Sequence, residues 1–258
     1  MHRIELGGQP LNLDLTLSCG QAFRWCRRPD GIWCGVVRDR LIELATDGDI
    51  LLWRSHPEND HKLVREYLRL GDDANAIYAT LAECDPHLAH LVIQFRGLRL
   101  LKQDPAEALL SFVCSAANSI PRISAAIEAL AQRYGEMVCE FDGGCYYRFP
   151  AVESIAGCEE SLLDRSEVLG FRDRTLRDVA CQVIRKGDGW LDGLRSANYS
   201  EARDELVTLR GVGRKIADCV CLFALGKDEA VPVDTHIRQI AERLWMPHLK
   251  TKSITAAA

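Results

Sequence analysis

No run of 18 apolar residues occurs in the 258-residue sequence, so no segment is long enough to cross a bilayer as a helix. The first residues also lack the charged, then apolar, then small-residue order of a secretory signal. Repeats and low-complexity linkers are absent as well. We therefore expect a globular monomer that stays away from membranes and inside the cell, in the cytoplasm or the nucleus.

Positive charge is not in excess, because 32 Lys and Arg face 37 Asp and Glu and give a formal net charge of -5. Nucleic-acid-binding surfaces are usually basic, so any DNA site must be local. The 11 cysteines are an odd number, and the close pair Cys219 and Cys221 is separated by one residue rather than the two to four of a zinc knuckle. We expect reduced thiols, most of them buried, and no zinc or iron–sulfur site held by cysteine.

The hydrophobic pattern changes along the chain from that of strands to that of helices. Between Gln21 and Arg54 apolar residues alternate, with turn residues at 29–31 and 47–49. Strands are expected at 22–25, 32–37, 41–44 and 50–53. From Pro57 onward the spacing is helical. Helices are expected at 61–70, 74–82, 85–95, 105–116, 121–134, 152–156, 159–169, 172–186, 200–209, 215–225 and 237–244. The sequence thus predicts an α+β protein with a small antiparallel sheet domain over 1–95 and a helical domain over 96–258.

Residues 206–219 form two helical patterns joined by a turn that contains Gly211 and Gly213. Both glycines tolerate positive φ and let a phosphate approach backbone amides at the positive end of the next helix. This hairpin resembles the helix-hairpin-helix motif, which grips the DNA backbone irrespective of sequence. A tight helical turn with two convenient glycines is the alternative interpretation.

Lys215 opens the second helix of the hairpin, and Asp234 stands 19 residues further on, where it is placed to cap another helix. Taken singly, Lys215 is explained as an exposed surface lysine and Asp234 as a structural helix cap. Together with the hairpin, they resemble the lysine-bearing branch of the helix-hairpin-helix glycosylase superfamily. The resemblance implies that the Lys215 amine attacks the sugar carbon holding a damaged base and forms a Schiff base. Asp234 then stays ionised and stabilises positive charge on the sugar.

The resemblance extends over nearly the whole chain and is to 8-oxoguanine DNA glycosylases of the eukaryotic type. Of the stretches that carry it, 18–25 is the most discriminating, because the wider superfamily lacks that sheet. The stretches are Ser18-Cys-Gly-Gln-Ala-Phe-Arg-Trp25, Gln103-Asp-Pro105, Phe112-Val-Cys-Ser115, Leu169-Gly-Phe-Arg172, Gly211 to Cys219, and Val231-Pro-Val-Asp-Thr-His236. The family implies a TBP-like sheet domain that contributes to the base pocket, followed by an all-α helix-hairpin-helix domain. It implies excision of 8-oxoguanine opposite cytosine in damaged double-stranded DNA, followed by strand cleavage at the abasic site.

The family's residue roles carry over to matching positions. Gly20 offers its carbonyl to the protonated N7 of the oxidised base, where guanine has only an acceptor. Cys219 packs on the base face, Arg122 and Arg172 read the orphaned cytosine, and Phe171 wedges beside it. The remaining DNA contacts implied are Asn118, Ala117, Gly211, Gly213, Arg214 and His236. No cofactor is required, although hairpin carbonyls of Val207, Leu209 and Val212 are implied ligands of a structural cation.

Two features depart from the family pattern. Where the family fills the vacated base stack with asparagine, this sequence has Ala117, and Asn118 lies one position on. Nothing after Trp245 matches the family's base-sandwiching helix.

Two rival functions remain open: a glycosylase of the same fold for an alkylated purine or oxidised pyrimidine, and a non-catalytic DNA-binding module, which would have no need of the Lys215 amine.

Overall fold

The computed structural model describes residues 1–115, 118–158 and 172–245, and these form a five-stranded sheet, a two-stranded hairpin and twelve helices. The strands are β1 His2–Glu5, β2 Trp25–Arg27, β3 Trp33–Val37, β4 Arg40–Asp47, β5 Ile50–His56, β6 Met137–Phe141 and β7 Gly144–Tyr147. The helices are α1 Leu13–Ser18, α2 His61–Tyr67, α3 Ala74–Cys84, α4 Pro86–Gln94, α5 Pro105–Cys114, α6 Ile120–Tyr134, α7 Val152–Ala156, α8 Arg172–Lys186, α9 Trp190–Gly193, α10 Tyr199–Val207, α11 Arg214–Phe223 and α12 Thr235–Leu244. The predicted α+β class is confirmed. The helix predicted at 159–169 lies outside the described residues.

The chain divides into two compact units, each built from two separate stretches of sequence. Unit 1 contains Met1–Asp104 and Ser119–Pro150, and unit 2 contains the described residues of Pro105–Asn118 and Ala151–Ala258. This division differs from the single predicted boundary near residue 95. The chain enters unit 2 for one helix, α5, and then returns to unit 1 for α6, β6 and β7.

The five-stranded sheet of unit 1 has the order β1-β5-β4-β3-β2, with every neighbouring pair antiparallel. The turn predicted at 47–49 joins β4 to β5, where Gly48 adopts φ +57°. Strand β1, which has only four residues, was not predicted from the sequence. The sheet and neighbouring segments share one apolar core, whose buried members include Leu44, Leu51, Val64, Leu68 and Leu101.

A second antiparallel pair in unit 1, β6–β7, was missed by the sequence analysis. Its two-residue turn is Asp142-Gly143, with φ values of +50° and +75°, as a tight hairpin turn requires. This pair packs on the sheet through a small apolar cluster. Val138, Cys139, Phe141 and Tyr146 lie against the buried residues Cys34, Val36 and Leu41.

Beside this cluster, three basic side chains contact the fully buried carboxylate of Glu43. It accepts hydrogen bonds from Arg28 at 2.8 Å and from Arg54 at 2.6 Å, and it lies 3.2 Å from His56 Nε2. The Phe141 ring lies over His56, with ring centroids 4.2 Å apart. Burial alone would raise the pKa of Glu43, but the hydrogen bonds from Arg54 and His56 and the charges of Arg54 and Arg28 together lower it.

Unit 2 is built around α5, which is buried from Ala108 to Cys114 because it packs on both α8 and α11. The rings of Phe112 and Phe223 stack at 5.6 Å across the contact between α5 and α11. Helix α5 begins at Pro105 as predicted, where proline's missing amide has no cost. The predicted helices over 152–156 and 172–186 are confirmed.

All 11 cysteines are free thiols, as predicted. The expectation that most are buried was wrong: four are buried, Cys34, Cys114, Cys219 and Cys221, and the other seven are half-buried or exposed. None of the described helices has the length and apolar character needed to cross a bilayer.

Candidate active site

The hairpin turn between α10 and α11 contains one position, 211, where a side chain would be strained and would clash with its neighbour. Gly211 adopts φ +103°, and a Cβ there would approach Thr175 Cγ2 to 2.6 Å. Gly213 differs, because it caps α11 with φ -86° and an added Cβ would meet nothing within 4 Å. Of the two glycines expected to tolerate positive φ, Gly211 therefore adopts it and Gly213 does not. At Gly213 the absence of a side chain instead leaves the start of α11 open.

The start of α11 is an exposed helix N-terminus without a side-chain cap. Gly213 contributes no capping side chain, and Gly211, Gly213 and Arg214 are all exposed. The first amides of a helix lack intrahelical acceptors and carry the positive end of its dipole. This turn therefore presents donors suited to an anion.

Lys215, in the first turn of α11, is half-buried and held at its tip. Its Nζ donates to Ser115 Oγ at 3.2 Å and lies 5.3 Å from the centroid of the Phe112 ring. The Ser115 hydroxyl donates in turn to the Phe112 carbonyl at 2.7 Å. Because its single proton is committed there, Ser115 faces Lys215 as an acceptor. No role for Ser115 was predicted from the sequence, where it stands only within the stretch Phe112-Val-Cys-Ser115.

Asp234 caps α12, as predicted, through a 2.8 Å hydrogen bond that its carboxylate accepts from the Ile237 amide. The buried thiol of Cys219 lies one turn of α11 beyond Lys215. Burial raises the pKa of Cys219 to about 11, the charge of Lys215 opposes that rise, and the charges of Asp218 and Asp234 reinforce it. The charges of Lys215 and Asp234 thus have opposite effects on the pKa of this thiol.

Two further contacts brace the hairpin and were not predicted. The buried Asp218 of α11 accepts a 2.8 Å hydrogen bond from the Tyr199 hydroxyl at the start of α10. Burial, and then this bond, raise the pKa of Tyr199. Gln182 of α8 bonds both the amide and the carbonyl of Arg210, at 2.8 and 3.1 Å. Sequence offers no signal for these contacts, because the partners lie 19 and 28 residues apart in turns and on helix faces.

Gly20, the predicted base-binding residue of unit 1, lies in a loop with φ +87°, and a Cβ there would approach Ile120 Cδ1 to 2.9 Å. The adjacent Gln21 is buried and fully bonded. Its amide donates to the carbonyls of Thr16 and Arg99 at 2.8 and 2.9 Å, and its oxygen accepts from the Leu101 amide. The loop is therefore held from within unit 1.

The other predicted DNA contacts differ in exposure. Arg122 is exposed in the first turn of α6, and His236 is exposed in the first turn of α12. Asn118 is half-buried, with its amide 3.5 Å from the Cys114 carbonyl. Arg172 is buried, unlike an arginine poised to read a base. Ala117 and Phe171 lie outside the described residues.

The candidate cation ligands lie in the turn that precedes α11. Leu209 and Val212 are buried, and the Val212 amide donates to the Leu209 carbonyl at 2.9 Å. Within the described ranges, no three His, Cys, Asp or Glu side chains gather in a way that could hold a metal ion.

The chain is similar to DNA glycosylases of solved structure. MBOgg1 in complex with a low-affinity DNA ligand matches with a TM-score of 0.86 at 34% identity, covering 96% of this chain and 85% of that one. The Clostridium acetobutylicum 8-oxoguanine glycosylase/lyase, in complex with duplex DNA containing cytosine opposite 8-oxoguanine, matches with a TM-score of 0.85 at 30% identity, covering 98% and 84%. The fold and the hairpin thus define a helix-hairpin-helix DNA glycosylase.

Sequence comparison narrows this class to a family. Residues 3–109 match the family model of the 8-oxoguanine DNA glycosylase N-terminal domain. The N-glycosylase/DNA lyase OGG1 of Arabidopsis thaliana is 30% identical over 261 residues, covering 98% of this chain and 71% of the relative. The chain belongs to the 8-oxoguanine DNA glycosylase family, as its motifs had indicated.

Proposed function

We propose that this protein excises 8-oxoguanine from opposite cytosine in duplex DNA and then cleaves the strand at the abasic site, as a base-excision-repair enzyme of the cell interior. One observation carries the proposal: the Lys215 amine, in the first turn of α11 beside the open hairpin turn, donates to Ser115 Oγ at 3.2 Å. The names of the relatives, N-glycosylase/DNA lyase and 8-oxoguanine glycosylase/lyase, support the choice of substrate and reaction.

Lys215 acts as the nucleophile. Its amine, once deprotonated, bonds to the sugar C1′ while the C1′–N9 bond breaks, and the base leaves with the electron pair and takes up the first proton that the amine releases. Transfer of the second amine proton to the ring oxygen O4′ opens the sugar ring and gives a Schiff base at C1′. This imine acidifies the neighbouring C2′ proton, whose removal expels the 3′ phosphate. Water then hydrolyses the imine and releases the enzyme.

Ser115 and Asp234 prepare this attack. An amine that donates one N–H to Ser115 Oγ keeps its lone pair directed elsewhere, so the contact orients the nucleophile. The Asp234 carboxylate, fixed by its bond to the Ile237 amide, stabilises the positive charge that the sugar develops as the base departs.

Gly20 and Cys219 recognise the base. The Gly20 carbonyl accepts from the N7–H of 8-oxoguanine, and among the described residues no donor already occupies that carbonyl. Guanine offers a bare acceptor at N7, and two facing acceptors are costly to bury. Cys219 packs on the base face as a neutral thiol, in keeping with its raised pKa of about 11.

The surrounding residues hold the DNA. The amides at Gly211, Gly213 and Arg214 bind a backbone phosphate, and His236 contacts another. Arg122 and Arg172 read the orphaned cytosine; because Arg172 is buried in the DNA-free chain, its side chain has to swing out. The remaining proposed contacts are Ala117, Asn118 and the Phe171 wedge.

We also place a structural cation on the carbonyls of Val207, Leu209 and Val212. The Leu209 carbonyl, which already accepts from Val212, retains a second lone pair for it. DNA affinity that is unchanged when potassium or calcium is replaced by a bulky organic cation would contradict this assignment.

Borohydride trapping tests the proposed chemistry. On an 8-oxoguanine:cytosine duplex, the native chain should form a covalent adduct, Lys215→Gln should form none, and Lys102→Gln, an exposed lysine of unit 1, should trap normally. Failure of the native chain to trap would reject the lyase mechanism. Parallel duplexes carrying an alkylated purine or an oxidised pyrimidine test the substrate, since faster release from either would displace 8-oxoguanine.

A further inference from the structure

A cleft of about 420 Å³ lies beside the hairpin turn, within unit 2. One wall is the first turns of α8, with Arg174, Thr175 and Asp178, and the other is the turn itself, with Arg210 and Gly211. None of these cleft residues except Gly211 has a part in the function proposed above.

The two walls are tied together. Gln182 of α8 bonds both the amide and the carbonyl of Arg210, and Thr175 packs so closely on Gly211 that a Cβ there would clash. The position of the cleft relative to the hairpin amides is therefore set by α8. Any group bound in the cleft would lie next to a phosphate bound at Gly213.

The charged side chains of the cleft favour binding of an anion. Arg174 and Arg210 are both exposed, and neither has an ion-pair partner among the described residues. By contrast Arg177, on the same helix, pairs with Asp173 at 3.6 Å. Asp178 offsets one of the two positive charges, which leaves the cleft positive in a chain whose net charge is -5. Two unpaired guanidinium groups that line one cleft supply the positive charge and the N–H donors that a phosphate requires.

We propose that the Arg174–Arg210 cleft binds a second backbone phosphate of the DNA strand that the hairpin holds. The inference rests on the proposed function, because it needs a strand at the hairpin. Successive phosphates of one strand are spaced about 3.4 Å along the duplex axis, so a strand gripped at Gly213 brings a neighbouring phosphate past the cleft. The contact is to the backbone and carries no base preference.

The experiment measures duplex affinity over a salt series for the native chain, Arg174→Gln, Arg210→Gln and the double variant. Neither arginine side chain has a described partner, so folding should be unaffected. Arg185→Gln is the matched control: it is exposed and lies eleven residues further along α8, roughly 16 Å away. The double variant should bind lesion-bearing and undamaged duplexes about fivefold more weakly. Its salt slope should fall by about 0.9, as for one lost phosphate.

A variant that is expected to bind duplex DNA more tightly separates a change in charge from misfolding, because misfolding would only weaken binding. Asp178→Asn removes the one carboxylate in the cleft and should tighten duplex binding about two- to fivefold. Borohydride trapping at saturating enzyme should persist in all these variants, so this test fails separately from the Lys215 test.

Three outcomes would overturn the proposal. The first is a double variant whose affinity and salt slope equal those of Arg185→Gln. The second is a loss confined to the lesion-bearing duplex, which would assign the arginines to base recognition. The third is an arginine-dependent affinity for inorganic phosphate without any change in the DNA salt slope, which would make the cleft a free-anion site.

Discussion

Replacing Ser115 by alanine should slow base excision without weakening DNA binding. The hydroxyl accepts from Lys215 Nζ at 3.2 Å and is itself locked by its 2.7 Å bond to the Phe112 carbonyl. Alanine removes that acceptor and leaves the Phe112 ring, 5.3 Å from Nζ, as the remaining contact at the amine tip among those described. The lysine tip then samples rotamers that do not face the sugar.

The size of the effect follows from the contact. A hydrogen bond between uncharged groups contributes about 0.5–1.5 kcal/mol. The attacking amine is neutral and half-buried, and we take about 1.4 kcal/mol, near the upper end of that range. That free energy corresponds to roughly a tenfold lower rate constant, since each 1.36 kcal/mol of barrier is a factor of about ten.

Single-turnover excision, with enzyme in excess over an 8-oxoguanine:cytosine duplex, isolates this step from product release. Ser115→Thr keeps the hydroxyl and should retain most of the rate, which separates loss of the acceptor from a change in packing. Duplex affinity and Tm should stay near the native values in both variants. An alanine variant that excises at the native rate would refute the positioning role of Ser115.

Two other predictions concern carboxylates. Asp234→Asn keeps a helix cap but loses the charge, so duplex binding should persist while single-turnover excision falls about 100-fold; unchanged excision would remove the electrostatic role. The lowered pKa of Glu43 means that its carboxylate stabilises the fold above its unfolded pKa of about 4.3, and that this stability is lost as pH falls through the lower folded value. Glu43→Gln should cost about 2 kcal/mol at pH 7, because it leaves the partly exposed Arg28, Arg54 and His56 without their carboxylate partner, and the difference in Tm from the native chain should narrow below about pH 4.5. A difference that stays constant from pH 7 to pH 3 would contradict the assignment.

Local rules predicted much of the fold. Proline at the start of α5 and the aspartate cap of α12 act within one helical turn, so both could be read from neighbouring residues. The same applies to the turn at Gly48. The β6–β7 pair was missed even though Asp142-Gly143 is a strong hairpin signal, because its flanking strands are short and only partly apolar.

Site residues could be predicted where a motif carries them and not where distant segments meet. Lys215, Asp234 and the hairpin were predicted as site residues because together they resemble a family motif, and their roles stay predictions. The contact between Lys215 and Ser115 joins positions 100 residues apart, and no periodicity encodes it. Burial of Arg172 depends likewise on packing around α8, since a sequence pattern offers an arginine at a helix start as an exposed residue.

The return of the chain to unit 1 has a consequence for biosynthesis. Strands β1 to β5 leave the ribosome long before β6 and β7, so the apolar surface at Cys34, Val36 and Leu41 stays uncovered until about residue 150 has been made. Nascent chains with such surfaces are prone to aggregate. A fragment cut at residue 95 or 104 would keep that exposed surface permanently, so a stable sheet unit has to be made by splicing 1–104 to 119–150 rather than by truncation.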